Sequence, residues 1–384
     1  MKKLFSILVL ALSCSALFAQ QTAVALLNHE GTISTFYGSD ALTQAYKAAV
    51  HGDIITLSGG AFTAPSSWTK AVTLRGAGCY EGADNSREVT SIGNYFKLAI
   101  PADVETTMTI EGIKFKSNFH FSYNSGYDTN NNTTFLKCHF SGEISSVSHN
   151  TNFYNCVLSK SLSFGADADD LAEVYLFNCY VNDPYNTNAY VSAKFTNCIV
   201  RFSRPEAYDY SGGQRGCWEL DYATCLNCIF LGYYYENNKK NVPSDHMLPA
   251  GTIATNCLSC YCAYTPAVDT DTETRDAVYD YNIFDNMGNS TNKYLEEGKP
   301  LSETITSVFK TYNGTDWFTF NELYELTDEA KATYLGSDGT QVGLYGGMGF
   351  DLIPSTLQIT KCEVAPRSTS DGKLSVKIEV GIPE

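Results

Sequence analysis

Histidines, basic residues and long apolar runs are scarce in this chain of 384 residues. The six histidines show no paired spacing, so the sequence does not support a histidine metal site. Lysine and arginine number 26 against 42 acidic residues, which gives a net charge of −16 with no basic patch. Such a surface repels nucleic acid and anionic lipid, and it disfavours polyuronate ligands unless a cation intervenes. Neutral glycans or proteins are the partners that this charge favours.

The N-terminal apolar run is too short to cross a membrane. It covers residues 5–12, follows Lys2 and Lys3, and leads to a small-residue cleavage site after Ala19, which predicts a signal peptide over residues 1–19. No later run approaches the roughly 20 apolar residues of a membrane span, so we expect no transmembrane segment. Cleavage removes two lysines and no acid, leaving 24 basic and 42 acidic residues and a net charge of −18. We expect an exported protein that is secreted, periplasmic or at the cell surface.

A six-residue phrase recurs eight times between Leu74 and Ser259. Its positions are an apolar residue, any residue, Asn or Gly, a small apolar residue or Cys, any residue, and usually an apolar residue. The copies begin at Leu74, Ile110, Phe135, Phe153, Leu176, Phe195, Cys225 and Ala254. Their fourth positions are Ala77, Ile113, Cys138, Cys156, Cys179, Cys198, Cys228 and Cys257, spaced 18 to 36 residues apart. A unit near 20 residues that varies by insertion is typical of a solenoid.

The third position of the phrase predicts a bend in the chain. Positions one and four are both apolar, yet in a straight strand they would face opposite sides, because side chains alternate. Glycine or asparagine between them tolerates the positive φ that turns the strand and points both apolar side chains into one core. These third positions are Gly76, Gly112, Asn155, Asn178, Asn197, Asn227 and Asn256. Lys137 is the exception, and we expect its corner to be strained or differently bent.

The pattern resembles the right-handed parallel β-helix of the pectin-lyase-like proteins, in which a stacked asparagine at such a bend forms a ladder along the coil. The resemblance covers roughly residues 38–262. It implies an all-β fold, a single-stranded right-handed parallel β-helix over residues 20–350. The structural ladder would contain Asn155, Asn178, Asn197, Asn227 and Asn256 beside Cys156, Cys179, Cys198, Cys228 and Cys257. Because this fold hosts lyases, hydrolases, tailspikes and adhesins, it does not specify a function.

The inward cysteines are expected to form a ladder of free thiols. Twelve cysteines remain after cleavage, and five of them stack at the fourth position of the asparagine-containing copies. Neighbouring parallel strands lie about 4.8 Å apart, whereas a disulfide needs Cβ atoms about 3.8 Å apart. Side chains that point the same way also cannot bridge. We therefore expect these thiols to act as small hydrophobic groups.

Caps are predicted at both ends of the coil. A helix over residues 39–51, capped by Ser39 or Asp40 and stopped by Gly52, would cover the bottom. After Cys262 the phrase is lost, and residues 263–350 are expected to form an irregular cap that closes the top. Helices within this cap are predicted over residues 302–311 and 327–334, and a β-hairpin over residues 351–384 around Asp371-Gly372.

No cofactor or metal is expected. The spacings Cys225-x-x-Cys228 and Cys257-x-x-Cys260 are typical of zinc sites, but three of these thiols are assigned to the core and cannot also close a tetrahedron. Calcium is the alternative, because acidic residues recur at Asp167, Asp169 and Asp170 and at Asp269, Asp271 and Glu273. Neither run has the glycine and distal glutamate of a calcium loop, which favours solvated acidic residues.

Residues 201–221 contain the candidate catalytic groups. Carboxylates beside a guanidinium would suit general acid–base work on a sugar, and the candidates are Glu206, Asp209, Arg215, Glu219 and Asp221. The alternative is a solvated loop with mutual salt bridges. Typical lyase and galacturonase motifs, a paired Asp-Asp with a nearby Gly-His or Arg-x-Pro-x-x-Arg, are absent from the sequence.

Tyrosine is abundant, with 26 residues, and clusters outside the phrase. Most of these rings are expected to pack loops onto the coil, but an exposed subset would suit carbohydrate or protein binding. The candidates are Tyr208, Tyr210, Trp218, Tyr233, Tyr234 and Tyr235. We therefore expect a monomeric, non-catalytic surface or secreted protein that binds an extracellular glycan or protein. The alternatives are a polysaccharide lyase or glycoside hydrolase, and a structural surface protein.

Overall fold

The computed structural model describes a predominantly β chain with few helices. The described residues are 23–80, 89–101, 103–122, 132–148, 150–165, 172–185, 190–202, 207–208, 214–215, 220, 222–231, 252–260, 278–283, 308–311, 324–351, 358–364 and 376–381. The chain divides into two compact units, Met1–Phe350 and Asp351–Glu384. Within the described part, no helix has the length and apolar character needed to cross a membrane.

Twelve strands form the largest sheet, sheet A. The strand that comes first in the chain, Val24–His29, pairs antiparallel with its neighbours on both sides. All other pairings in sheet A are parallel. In spatial order the strands are β2 (Thr32–Tyr37), β1 (Val24–His29), β3 (Ile54–Leu57), β5 (Thr73–Arg75), β8 (Met108–Glu111), β11 (Thr133–Leu136), β14 (Thr151–Tyr154), β17 (Ala172–Phe177), β20 (Val191–Thr196), β24 (Ala223–Leu226), β26 (Ile253–Thr255) and β28 (Val278–Asp280).

Two further sheets are parallel throughout. Sheet B contains β4 (Gly60–Phe62), β6 (Thr90–Ile92), β9 (Lys114–Phe115), β12 (His139–Phe140), β15 (Val157–Leu158), β18 (Tyr180–Asn182), β21 (Ile199–Arg201), β25 (Ile229–Leu231) and β27 (Leu258–Cys260). Sheet C contains β7 (Phe96–Leu98), β10 (Phe119–Phe121), β13 (Ile144–Val147), β16 (Leu162–Phe164) and β19 (Pro184–Tyr185). Two antiparallel pairs stand apart: β22 (Ala207–Tyr208) with β23 (Gln214–Arg215), and, in the second unit, β29 (Gln358–Val364) with β30 (Val376–Gly381), where the sequence predicts a hairpin.

From β5 to β20 the chain visits sheets A, B and C in rotation, so that β8, β9 and β10 are followed by β11, β12 and β13, and from β24 to β28 the described strands alternate between sheets A and B. Each such passage is called a turn below. Equivalent residues of successive turns stack, as the rings of Phe135 and Phe153 do at 4.9 Å and an interplanar angle of 10°. One continuous apolar core runs from Ala23 to Cys257. Long parallel sheets of this kind are compatible with a β-solenoid.

The left-handed bends lie mostly where the phrase predicts them. Five asparagines at its third position have φ between 48° and 56°: Asn155, Asn178, Asn197, Asn227 and Asn256. Lys137 has φ 52°, so the chain bends at this residue as it does at the asparagines. Lysine disfavours the left-handed conformation, and of the two expectations for this corner, a strained bend or a different bend, the strained bend is the one found. The prediction for the copy at Leu74 is wrong. Gly76 is not left-handed, Ala77 is exposed, and the fourth position belongs to Thr90, which pairs beside Gly60 and is fully buried.

The phrase also continues for one copy beyond the predicted end. Strand β28 pairs with β26 so that Tyr279 lies opposite Ala254. Tyr281 then adopts φ 53°, and the buried Asn282 takes the fourth position. Because Asn282 Oδ1 accepts from the backbone N–H of Cys257 at 2.6 Å, it continues the column of cysteines. One further copy of the phrase therefore follows Cys262, where the sequence predicts that the phrase has ended.

Helix α1 (Ala41–Ala48) covers the start of the core with Ala41, Leu42, Ala45 and Tyr46. Its C-terminal carbonyls accept from Lys70 Nζ, at 3.0 Å for Tyr46, 3.1 Å for Lys47 and 2.7 Å for Ala49. Helix α2 (Asp328–Thr333) lies within the predicted range of residues 327–334, and the hydroxyl of its N-cap, Thr327, accepts from the backbone N–H of Ala330. Of the other predicted helix, residues 302–307 lie outside the described residues, and Phe309 forms an antiparallel bridge with Leu326 instead.

Residues 334–349, the cover segment, pack against the outside of the bends. Asn197 Nδ2 donates to the carbonyl oxygens of Leu344 and Gly346, both at 2.8 Å. Asn256 Oδ1 accepts from the backbone N–H of Ser337, also at 2.8 Å. Val342 and Leu344 are buried there. The segment therefore lies along the side of several turns, whereas the sequence predicts that it closes the top.

Candidate functional site

Most residues proposed for catalysis or ligand binding lie outside the described residues. These are Glu206, Asp209, Glu219, Asp221, Tyr210, Trp218, Tyr233, Tyr234 and Tyr235, together with both acidic runs considered for calcium. The structure brings the backbones of Tyr208 and Arg215 into one antiparallel pair, β22 with β23. The hypothesis of a catalytic groove stays a prediction.

The cysteine column is a buried element of the core. Cys156, Cys179, Cys198, Cys228 and Cys257 have no exposed surface and are free thiols, and Cys138 continues the column. Burial raises the pKa of Cys156 and Cys179, which keeps both thiols protonated. Cys225 is buried as well, and among the described residues no group of three or more potential ligands is placed to hold a metal ion.

The outer face of sheet A carries a cluster of aromatic side chains. Strand β17 alternates so that Val174 and Leu176 are buried, while Tyr175 and Phe177 are half-buried on the opposite face. Tyr154 of β14 lies directly opposite Phe177 in the parallel register. These three residues, Tyr154, Tyr175 and Phe177, are called the aromatic platform.

The three rings of the platform do not lie in one plane. The rings of Tyr175 and Phe177 are nearly parallel, with an interplanar angle of 19° and centroids 6.3 Å apart. Tyr154 is inclined to them by 63° and 53°, at 5.9 Å and 6.3 Å respectively. Partial burial and the neighbouring Tyr175 raise the pKa of Tyr154, so its hydroxyl stays protonated and can donate a hydrogen bond.

Polar groups border the platform on the same face. Asn152 and Lys194 lie on either side of Tyr175, on strands β14 and β20. Lys194 Nζ forms an ion pair with Glu173 Oε1 at 2.8 Å, so its charge is balanced locally. An apolar centre with a polar rim is the usual composition of a binding surface, and the faces of aromatic rings pack well against the C–H faces of sugars.

Two histidine pairs offer weaker alternatives. His29 Nδ1 lies 2.8 Å from Asp53 Oδ1 beside a cavity of about 410 Å³, and the hydrogen bond to Asp53, followed by its charge, raises the pKa of His29. The described lining of this cavity contains no serine, cysteine or lysine nucleophile. His120 Nδ1 lies 2.8 Å from Ser145 Oγ on the outer face of sheet C, and burial lowers the pKa of His120. In the part of the chain that the structure describes, no third group of a catalytic triad is bonded to either pair.

The platform was not predicted, although a signal for it exists. Tyr154 and Phe177 occupy the second position of the phrase, which varies in character and was given no role. That position precedes the bend on the outward face, so aromatic residues there in consecutive copies indicate an exposed cluster. The clustering of tyrosines in the sequence instead predicts exposed aromatic residues in the loops, such as Tyr210 and Tyr233.

Comparison with known proteins adds no assignment, because no family model, curated protein or solved structure matches the chain.

Proposed function

We propose that this protein is an exported right-handed parallel β-helix that binds an extracellular glycan without chemically changing it. The observation that carries the proposal is the aromatic platform on the outer face of sheet A. Three rings are half-exposed on a rigid sheet, and ordered aromatic groups on a rigid scaffold bind with little loss of conformational entropy.

Three further observations support a neutral carbohydrate as the ligand. The chain is strongly acidic, which disfavours polyanions. The cation opposite Tyr175, Lys194, is paired with Glu173. Hydroxyl and amide groups border the rings and can hydrogen-bond to sugar hydroxyls. Export follows from the predicted signal peptide over residues 1–19, and the handedness of the coil from the resemblance of the asparagine bends to those of pectin-lyase-like proteins.

Binding is tested by isothermal calorimetry and affinity electrophoresis against a panel of neutral and acidic polysaccharides. We expect at least one neutral polysaccharide to bind, and Tyr175→Ala and Phe177→Ala each to weaken that binding about tenfold. Tyr95→Ala is the matched control, because Tyr95 is an exposed aromatic residue located beside sheet C. If Tyr95→Ala weakens binding as much as Tyr175→Ala and Phe177→Ala do, the platform is not the binding site.

The enzyme alternative is tested with the same polysaccharides. We expect no new reducing ends and no absorbance from unsaturated uronates. Turnover that disappears in Glu219→Gln or Asp221→Asn would replace the binding proposal with a hydrolase or lyase.

A further inference from the structure

The aromatic platform is part of a longer strip on the outer face of sheet A. Five neighbouring strands, β11, β14, β17, β20 and β24, each place their last two alternate side chains on this face, and β17 and β20 add a third, Glu173 and Ser192. The parallel registers align these side chains into two columns that cross the strands. The apolar column contains Leu136, Tyr154, Phe177, Thr196 and Leu226, and the polar column contains Thr134, Asn152, Tyr175, Lys194 and Thr224.

The two columns have complementary chemistry. Four of the five apolar-column residues are aromatic or aliphatic, and Leu226 at one end is 37% exposed. Every residue of the polar column carries a hydroxyl, amide or ammonium group. A pyranose ring has the same division, with a C–H face and a rim of hydroxyls. The strip therefore offers a packing surface and hydrogen-bonding groups side by side over its full length.

The repeat of the strip sets the direction of a bound chain. Parallel strands follow one another at about 4.8 Å, and this advance is close to the length of one pyranose residue in an extended chain. A glycan lying across the strands would therefore meet equivalent groups once per sugar. A glycan lying along β17 would instead meet Phe177, Tyr175 and then the charged, exposed Glu173.

Building on the proposed glycan-binding function, we propose that the ligand is a single extended neutral glycan chain that crosses the strands of sheet A with one sugar residue per turn. The strip provides five such subsites, from Leu136 to Leu226, because the next strand on one side places the charged Glu111 beside Leu136 and the next on the other side places the apolar Ile253 in the polar column. Because the ring of Tyr154 is inclined to the other two, the platform is not flat and suits a single chain better than a flat crystalline surface. Because Glu173 neutralises Lys194, the strip has no unpaired cation to attract uronates.

The test measures affinity for β-1,4-linked gluco-, xylo- and manno-oligosaccharides from the disaccharide to the heptasaccharide, using the full mature chain. We expect affinity to rise with length and to stop rising at the pentasaccharide. Oligogalacturonides of the same length should bind about tenfold more weakly. Insoluble fibres should compete less well than soluble chains.

Variants at the ends of the strip test the direction of the chain. Leu226→Ala should lower affinity for the pentasaccharide and leave the disaccharide unchanged, while Glu173→Gln, whose amide oxygen still accepts from Lys194 Nζ, should affect neither for a neutral glycan. The opposite result, sensitivity to Glu173→Gln with indifference to Leu226→Ala, would place the chain along β17 and overturn this inference. Equal affinity for all lengths would also overturn it while leaving glycan binding intact. If no oligosaccharide or polysaccharide binds, the proposed function itself fails.

Discussion

At the residue scale, cysteine at the fourth position supplies a hydrogen-bond acceptor that the bend requires. The backbone N–H of Cys156 donates to Cys179 Sγ, and that of Cys138 to Cys156 Sγ, both at 3.4 Å. Alanine or valine at this position would offer no acceptor, and a buried N–H without a partner costs about 1–3 kcal/mol. Asn282 and Thr90 supply oxygen acceptors at the two ends of the column.

We expect Cys179→Ala to lower the free energy of unfolding by about 1–3 kcal/mol, because it removes the acceptor for the Cys156 N–H and leaves a small cavity. Urea denaturation with a fitted m-value measures this loss. Cys225→Ala is the control, since Cys225 is equally buried but its sulfur accepts from no backbone N–H of the described residues. Equal losses in the two variants would mean that the sulfur acts through volume alone.

Residue types at the other positions explain what the sequence predicts well and what it does not. The bends follow from asparagine and glycine, because the left-handed conformation is a local property of those residues. The fifth position of the phrase accepts any residue in the sequence pattern. In five consecutive copies, however, the residue at this position is buried: Val157, Tyr180, Ile199, Ile229 and Leu258. They lie outside the continuous core, and Gly343 of the cover segment packs beside Ile229 and Leu258. Such contacts depend on a segment distant in sequence, which periodicity alone cannot identify.

At the scale of elements, the cover segment is attached by side chains of the asparagine bends. The two bonds from Asn197 Nδ2 join residues separated by 147 and 149 positions. Gly343 N donates to the carbonyl oxygen of Asn256 at 2.7 Å, and Gly346 and Gly347 lie so close to Asn227 that a Cβ would collide with its side chain. Asparagine here combines a favourable bend with an anchor for a second element.

We expect Asn197→Ala to loosen the cover segment specifically. The variant loses the two hydrogen bonds from Asn197 Nδ2 to the carbonyl oxygens of Leu344 and Gly346. Hydrogen–deuterium exchange of the nearby backbone amides of Val342, Gly343 and Gly346 should therefore become faster. Asn178→Ala is the matched control, since Asn178 has the same left-handed bend, φ 53°, one turn earlier. Both variants should lose stability from the strained bend, but unchanged exchange in the cover segment of Asn197→Ala would show that other contacts hold it.

His29 and Asp53 link the hairpin of β1 and β2 to the short connection between α1 and β3. Asp53 Oδ1 lies 2.8 Å from His29 Nδ1, and Asp53 Oδ2 accepts from the backbone N–H of Val50 at 2.8 Å. The hydrogen bond and the charge of Asp53 raise the pKa of His29 above its ordinary value of 6.5. The imidazolium form is therefore favoured in the folded protein.

This link should be stronger at acidic pH. A raised folded-state pKa gives stability that is fully present below the unfolded pKa and is lost as pH rises through the folded pKa. We expect the difference in unfolding free energy between the parent and His29→Gln to be largest below about pH 6.5 and to shrink above it. Denaturation of both proteins across pH 5 to 9 measures the difference, and a pH-independent difference would contradict the ion pair.

At the scale of the whole molecule, one apolar core connects the turns from Ala23 to Cys257. Each turn pairs with the turns next to it, and in a solenoid, with which these sheets are compatible, the ends can in principle unfold independently. Here α1 covers the first turns and the cover segment is bonded to the bends at Asn197 and Asn256. These attachments couple the last turns to one another and oppose fraying from that side.

The cysteine column provides a reporter for this coupling, since its thiols are distributed from Cys138 to Cys257 and have no exposed surface. Burial raises the pKa of Cys138, Cys156 and Cys179, so the reactive thiolate is suppressed in the folded protein. We expect a maleimide reagent to leave these thiols unmodified without denaturant, and peptide mapping in increasing urea to show one shared midpoint for Cys138, Cys179 and Cys257. Labelling of Cys257 at clearly lower urea than Cys138 would show that the last turns open first and that the cover segment does not couple them to the rest of the core.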